Sequence, residues 1–275
     1  MKLKPVIIGT GFAGGTGKTT GIVSTADALT QIGYTMTYVD ADASNRTLSA
    51  TLPEAEASGK LVKVTLDTAG DFQGAIENIA ANMTEDLGVI DMPGSAAAFF
   101  LDFFTNKTAA DFEKMGVRLI VAVTIANSVV SFRGIRELAK LFAVRYPMIV
   151  LKTNMFNARH TAFDLTATKT GTAVVKASKN RVIEIPQFAE LQRREYNNCT
   201  AAPSDFLLGG RAATKLGLTH LSCLEWQSYV AAMVNAVTPH AEWITGKPIP
   251  APFKDNTSQS RAEASYLNAM DEDDF

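Results

Sequence analysis

The chain has 275 residues, of which 47% are hydrophobic, enough to bury one substantial core. Its 26 basic and 28 acidic residues nearly cancel, which excludes a strongly polycationic or polyanionic protein. Two cysteines, Cys199 and Cys223, exclude a disulfide framework and point to a reducing compartment.

In chain order, Val6–Thr10 is an apolar, β-branched run that reads as a strand. Gly14-Gly15-Thr16-Gly17-Lys18-Thr19-Thr20 follows it directly and leads into a helix predicted over Lys18–Ile32. A strand, a glycine-rich loop and a helix in succession form a phosphate cradle. The glycines allow a tight turn, successive amides converge on phosphate oxygens, and the helix N-terminus adds its positive field. Lys18 is placed to reach the β- and γ-phosphates, and the Thr19 hydroxyl to ligate Mg²⁺.

Thr35–Val39 is the next predicted strand, ending in Asp40-Ala41-Asp42, with Asn45 three residues further. Leu61–Leu66 is a third strand and Asp71–Glu85 a helix. Leu87–Ile90 is a fourth strand and runs into Asp91-Met92-Pro93-Gly94. One helix is expected over Ala96–Lys114, where Phe99-Phe100 and Phe103-Phe104 recur at helical spacing for core packing or a dimer contact. Strands at Val117–Ile125, Met148–Leu151 and Val182–Ile185 alternate with helices at Val129–Val144 and Gln187–Asn197. Two further helices, Asp205–Leu216 and Ser222–Ala236, close the domain. This alternation predicts an α/β fold: a doubly wound, mostly parallel sheet flanked by helices, with ligands at the carboxyl ends of the strands.

The phosphate loop departs from the standard G-x-x-x-x-G-K-[ST] pattern: Phe12 stands where the first glycine belongs, and the extra glycines fall at 14 and 15. That spacing resembles the deviant Walker A loop of the ParA/MinD family of dimerising ATPases. The resemblance spans roughly residues 1–240. It implies ATP and Mg²⁺ as cofactors and slow, partner-stimulated hydrolysis. It further implies Asp40-x-Asp42 as switch I, with Asp42 orienting the attacking water, Asp40 holding a metal-bound water and Asn45 lining the γ-phosphate. Asp91-x-x-Gly94 becomes a merged metal aspartate and switch II, with Thr19, Asp40 and Asp91 around the metal. Asn154, after Lys152-Thr153, and Pro186 correspond to the family's base-contacting positions. The family's hallmark lysine before the Gly-Gly pair is replaced here by Ala13, and Lys152 is the candidate cation to stand in for it.

In this family ATP drives a homodimer onto an extended surface, and an adaptor protein releases it. From Gly246 onward the chain carries three basic and six acidic residues, a polarity that anionic lipid would repel. A membrane surface is therefore not expected. Non-specific DNA is expected instead, through Lys169, Lys176, Lys179, Arg181, Arg193 and Arg194, with Arg211 and Lys215 as further cations. The resulting expectation is a cytoplasmic partition or positioning ATPase, with residues 1–245 as the ATPase domain and 246–275 as a proline-containing, acidic tail. The tail reads equally as a partner-docking peptide, with Tyr266, Leu267 and Met270 as anchors, or as a solubilising end. A nucleotide-gated adaptor and a P-loop enzyme acting on a small molecule stay open as alternatives. His160 and His220 lack metal-ligand spacing with other His or Cys.

Overall fold

The computed structural model describes residues 3–11, 17–66, 69–93, 103–126, 145–153 and 163–250. Among them, seven strands form one sheet in the order β3-β2-β4-β1-β5-β6-β7, and every pairing is parallel. The strands are β1 (Lys4–Thr10), β2 (Met36–Asp40), β3 (Leu61–Lys63), β4 (Leu87–Asp91), β5 (Val117–Ala126), β6 (Met148–Thr153) and β7 (Val182–Ile185). The central strands are continuous apolar runs because both faces are covered, as a parallel sheet requires. Along β1 the alternation sorts the core: Ile7 packs with Ile22, Leu29 and Trp226 on one face, and Val6 and Ile8 pack with Phe72, Ile76 and Val121 on the other.

The first face is covered by α1 (Lys18–Ile32) and by a 26-residue helix, α9 (His220–Thr245). The second carries α4 (Ala69–Asn82), α5 (Ala109–Lys114) and α6 (Lys169–Ala177). Two short helices, α2 (Thr47–Thr51) and α3 (Pro53–Ala57), cross from β2 to β3. After β7 come α7 (Glu190–Asn198), a 3₁₀ turn at Pro203–Phe206 and α8 (Arg211–Leu216).

Several predicted elements change shape. The expected helix over Ala96–Lys114 is not continuous where described: it is helical at 103–106, then restarts at α5. Thr108 caps the restart, its amide and hydroxyl both donating to Asp111 Oδ2 at 2.8 and 2.9 Å. Phe103 and Phe104 of that segment are buried edge-on against Phe72, with ring centroids 4.9 and 5.9 Å away. Asp205–Leu216 likewise divides at Gly209-Gly210, because Gly209 takes φ 80°.

The last helix extends nine residues past its expected end at Ala236, straight through Pro239. The Thr238 hydroxyl donates to the Val234 carbonyl at 2.6 Å, and fully buried Val237, Ala241 and Ile244 hold the far half to the core. Gly246 ends the helix in the left-handed conformation. The segment after it stays on the body: Tyr34 Oη donates to the Lys247 carbonyl at 3.0 Å, Lys247 pairs with Asp86, and Pro250 lies against Gly33. The helix expected at Val129–Val144, Phe99-Phe100 and most of the expected tail lie outside the described residues.

Candidate functional site

Three chain segments meet at the carboxyl edge of β1, β2 and β4. Gly17, at φ 77°, occupies the N-cap of α1, a left-handed turn that a side chain would strain. The turn starts α1 directly beneath the end of β4. Lys18 Nζ lies 3.0 Å from Asp91 Oδ1, and Thr19 Oγ1 donates to Asp91 Oδ2 at 2.6 Å. Lys18 is buried and Asp91 completely so. Burial raises the Asp91 carboxyl above the ordinary aspartate value, and the Lys18 ammonium and the Thr19 hydroxyl oppose that rise. A buried lysine held on a buried carboxylate is costly to maintain for stability alone. It is a reserve of positive charge at a helix N-terminus, next to a pair of hard oxygen donors.

Asp40 is the register partner of Asp91 on the neighbouring strand and is equally inaccessible. Its Oδ2 accepts from the Ser49 amide at 2.9 Å and the Ser49 hydroxyl at 2.6 Å, and its Oδ1 from the Asp42 amide at 3.2 Å. Arg46 Nη1 donates to the Asp40 carbonyl at 2.6 Å and the Val64 carbonyl at 2.9 Å, tying the ends of β2 and β3 together. Asp42 caps the next turn, Oδ1 accepting from the Ser44 and Asn45 amides at 3.2 and 3.0 Å. The Asp40-x-Asp42 pair thus organises the whole segment leading into α2. Nothing in the sequence periodicity marks Ser49 or Arg46, whose partners are fixed only once β2 ends beside β4.

Thr20 is the next polar group of the α1 first turn. Its hydroxyl lies 3.3 Å from Tyr196 Oη on α7. Lys152, on β6, is buried and bonded to Glu184 Oε1 at 2.8 Å, with the Phe163 ring centroid 5.2 Å away. Pro186 follows β7 at the same carboxyl edge, half-buried. Gly14, Gly15, Thr16, Gly94 and Asn154 lie outside the described residues, as does Ala13.

A Thr hydroxyl and carboxylates are the hard oxygen donors that Mg²⁺ selects, so Thr19, Asp91 and nearby Asp40 suit that ion. No group of three or more His, Cys, Asp or Glu side chains among the described residues is placed to hold a metal. Mg²⁺ needs no such cage, since it takes one or two protein oxygens and completes its shell with water and substrate phosphates.

The cations expected to meet DNA divide in two. Lys169, Lys176, Lys179, Arg193 and Arg194 are exposed, Arg194 in an ion pair with Glu190. Arg181 is drawn inward: its guanidinium lies 3.9 Å from the centroid of Trp243, which also meets Arg118 at 4.8 Å. Arg211 is paired with Asp205 at 3.0 Å.

No protein-family model and no curated protein matches the chain. Among solved structures, the cell division protein MinD of Aquifex aeolicus matches at 15% identity with a TM-score of 0.51, covering 90% of this chain and 98% of that one. The fold is MinD-like. The MinC:MinD cell division complex of the same organism (15% identity, TM-score 0.47) covers 90% of this chain and 97% of that chain. A ParA family ATPase of Chlorobium tepidum TLS (13% identity, TM-score 0.42) covers 87% and 98%. In the MinD-like fold the expected doubly wound architecture is realised with an all-parallel sheet. Among the described residues no helix is long and apolar enough to cross a membrane.

Proposed function

We propose that this chain is a ParA/MinD-like ATPase that binds ATP with Mg²⁺, dimerises in the ATP state and positions or partitions a DNA or protein cargo. The observation that carries this reading is the convergence of Lys18 and Thr19 on Asp91 at the carboxyl edge of β1 and β4. An incoming triphosphate offers Lys18 a stronger anion than Asp91, and the loop amides complete the cradle. Thr19 and Asp91 would hold Mg²⁺, with Asp40 holding the switch segment in place through Ser49. When bound, the ion neutralises charge on the β- and γ-phosphate oxygens. Asp42 orients a water for in-line attack on the γ-phosphorus. The bond to the β–γ bridging oxygen breaks, ADP leaves, and the water's proton passes to the released phosphate or to solvent. Asn45, the Gly94 amide, Asn154 and Pro186 are assigned to γ-phosphate sensing and base contact.

Non-specific DNA would meet Lys169, Lys176 and Lys179 on and after α6, and Arg193 and Arg194 on α7, through phosphate contacts. Lys169 opens α6, where no acidic residue offsets the helix dipole and a phosphate would. A second reading, a nucleotide-gated adaptor with weak hydrolysis, is favoured by one observation. Lys152, the candidate replacement for the hallmark lysine, is engaged by Glu184. The test is mass in solution by light scattering, with ADP and with ATP plus Mg²⁺ in an Asp42→Ala trap, each with and without duplex DNA. An ATP-specific dimer that binds DNA and releases it in high salt supports the partition cycle. A nucleotide-bound monomer that ignores DNA favours the adaptor.

A further inference from the structure

On the second face of the sheet, α4 packs through Phe72 and Ile76 against Val6 and Ile8 of β1. Between α4 and the last two strands of the sheet, β2 and β3, lies an open cavity of about 420 Å³. Asp71, Gly74, Asn78, Ile79 and Asn82 form one wall. They recur three and four residues apart, so the groove follows a single face of α4 along its whole length. Val39 of β2, Val62 of β3 and Val64 just after it form the other wall. Val62 is 49% exposed, and a Cβ at Gly74 would meet nothing within 4 Å. From Asp71 to Met83 the helical rise makes this groove roughly 18 Å long.

The chain continues for 25 residues beyond Pro250. Pro250 lies against Gly33, and Lys247 pairs with Asp86, the neighbour of the groove residue Glu85. The last described residue is therefore at the same pole as the Lys60–Glu85 end of the groove. Further on, Ser260-Arg261-Ala262-Glu263 has the spacing of a capping box. Ala262, Tyr266, Ala269 and Met270 then fall at i, i+4, i+7 and i+8, with Leu267 at the margin of that face. The pattern predicts a helix over 261–270, about 15 Å long, which matches the groove. A helix this short is not stable in water unless its apolar face is covered. The eleven residues from Pro250 to Arg261 can span up to about 35 Å, so the helix could enter the groove from either end.

Charge selects the direction. Asp71 stands at one end of the groove and exposed Lys60 at the other. Glu85, at the Lys60 end, is turned back onto the Thr84 amide and hydroxyl at 3.0 and 3.2 Å. The acidic run Asp271-Glu272-Asp273-Asp274 follows the predicted helix directly and Arg261 opens it. Arg261 beside Asp71 and the acidic run beside Lys60 pair opposite charges, whereas the reverse direction sets the acidic run against Asp71.

We propose that the groove between α4 and the β2–β3 edge is the seat of this chain's own segment 261–270. The segment binds as a helix, with Tyr266, Ala269 and Met270 against the valines and Ile79, and the acidic run at the Lys60 end. It supplies the missing cover for the outer face of β2 and β3 and fixes where the acidic terminus is displayed.

Hydrogen exchange of the full chain, resolved to peptides, tests this. Amides of 261–270 are expected to exchange at least about tenfold more slowly than an unstructured chain. Gly74→Phe, which fills the groove from an exposed position, and Val62→Asp, which puts a charge on its wall, should each return them to the unstructured rate. Lys60→Glu should speed their exchange several-fold. Protection of α4 and β4 reports the fold; if Val62→Asp disturbs it, Gly74→Phe decides. Unstructured exchange of 261–270 in the parent overturns the proposal, as does protection that survives Gly74→Phe. Protection that grows with protein concentration, together with a dimer in light scattering, seats the segment on a second copy and overturns the intramolecular contact.

Discussion

Asp40 and Asp91 stand opposite each other at the ends of adjacent strands, and their environments divide two tasks between them. Asp91 is held by the first turn of α1, through Lys18 and Thr19, and Asp40 by the segment leading into α2, through Ser49 and Asp42. Under the proposed nucleotide reading, a charge bound between them would act on both segments.

Replacing Lys18 with Ala removes the cation for both Asp91 and phosphate. Nucleotide affinity is expected to fall by at least about 100-fold in calorimetry, and wild-type affinity would remove the phosphate-loop assignment. Asp42→Ala should keep binding and lose hydrolysis by a factor on the order of 100 or more in a phosphate-release assay. A wild-type rate would move the water-positioning role to another residue.

Ser49→Ala takes one of three hydrogen-bond donors from a completely buried carboxylate. Hydrogen bonds to charged groups are worth about 1.5–3 kcal/mol, and a loss of stability of that size is expected in urea unfolding. No change in the unfolding midpoint would show that Asp40 is satisfied without the hydroxyl.

Asp27 gives the fold a distinct pH response. Burial in α1 pushes its carboxyl up to about 6 from the ordinary 3.8, against the opposing pull of the Ser204 amide and hydroxyl at 2.9 and 2.6 Å. Below about pH 4 the group is protonated in folded and unfolded chains alike and costs nothing. Between pH 4 and 6 the unfolded chain releases this proton first, so stability falls as pH rises, by on the order of 3 kcal/mol, and the loss is complete above 6. Asp27→Asn should lack this slope, so the stability difference between the two proteins grows from pH 4 to 6 and then stays level. Parallel curves across that window would place the Asp27 carboxyl near its ordinary value.

Two glycines should respond oppositely to alanine. A Cβ at Gly171, in α6, would lie 1.7 Å from the Leu165 carbonyl oxygen, whereas at Gly74, in α4, it would meet nothing within 4 Å. Gly171→Ala should cost at least about 2 kcal/mol, and Gly74→Ala should stabilise by about 0.5–1 kcal/mol. Thermal unfolding of the two variants measures both, and equal shifts would contradict the close approach of α6 to the Leu165 turn.

The parts of the site legible in the sequence are those fixed by local pattern. Runs such as Val6–Thr10 declare buried strands, and a residue following such a run, like Asp40 or Asp91, must fall at the carboxyl edge. Ser49, Arg46 and Tyr196 carry no such mark, because each acquires its role from a residue brought near by the fold. Tyr196 and Thr20 are 176 positions apart. The α3 helix was within reach of local rules, since Pro53 at N1 is followed by Glu54 and Glu56 in the first turn. Pro239 misleads in the other direction: Thr238-Pro239 reads as a stop, but the core burial of Val237, Ala241 and Ile244 outweighs one missing backbone bond.

The clasp of Lys247 on Asp86 and Tyr34 lies at the amino ends of β4 and β2, whereas Lys18, Asp42 and Asp91 lie at the carboxyl ends. A strand of five to seven residues separates these edges by roughly 20 Å. Pro250, the last residue described, therefore lies at the pole opposite the edge that carries Lys18 and Asp91. A tether, tag or binding motif carried beyond Pro250 starts on the far side of the molecule. Under the proposed reading, a partner held at Pro250 would stand a strand's length away from Lys18 and Asp91.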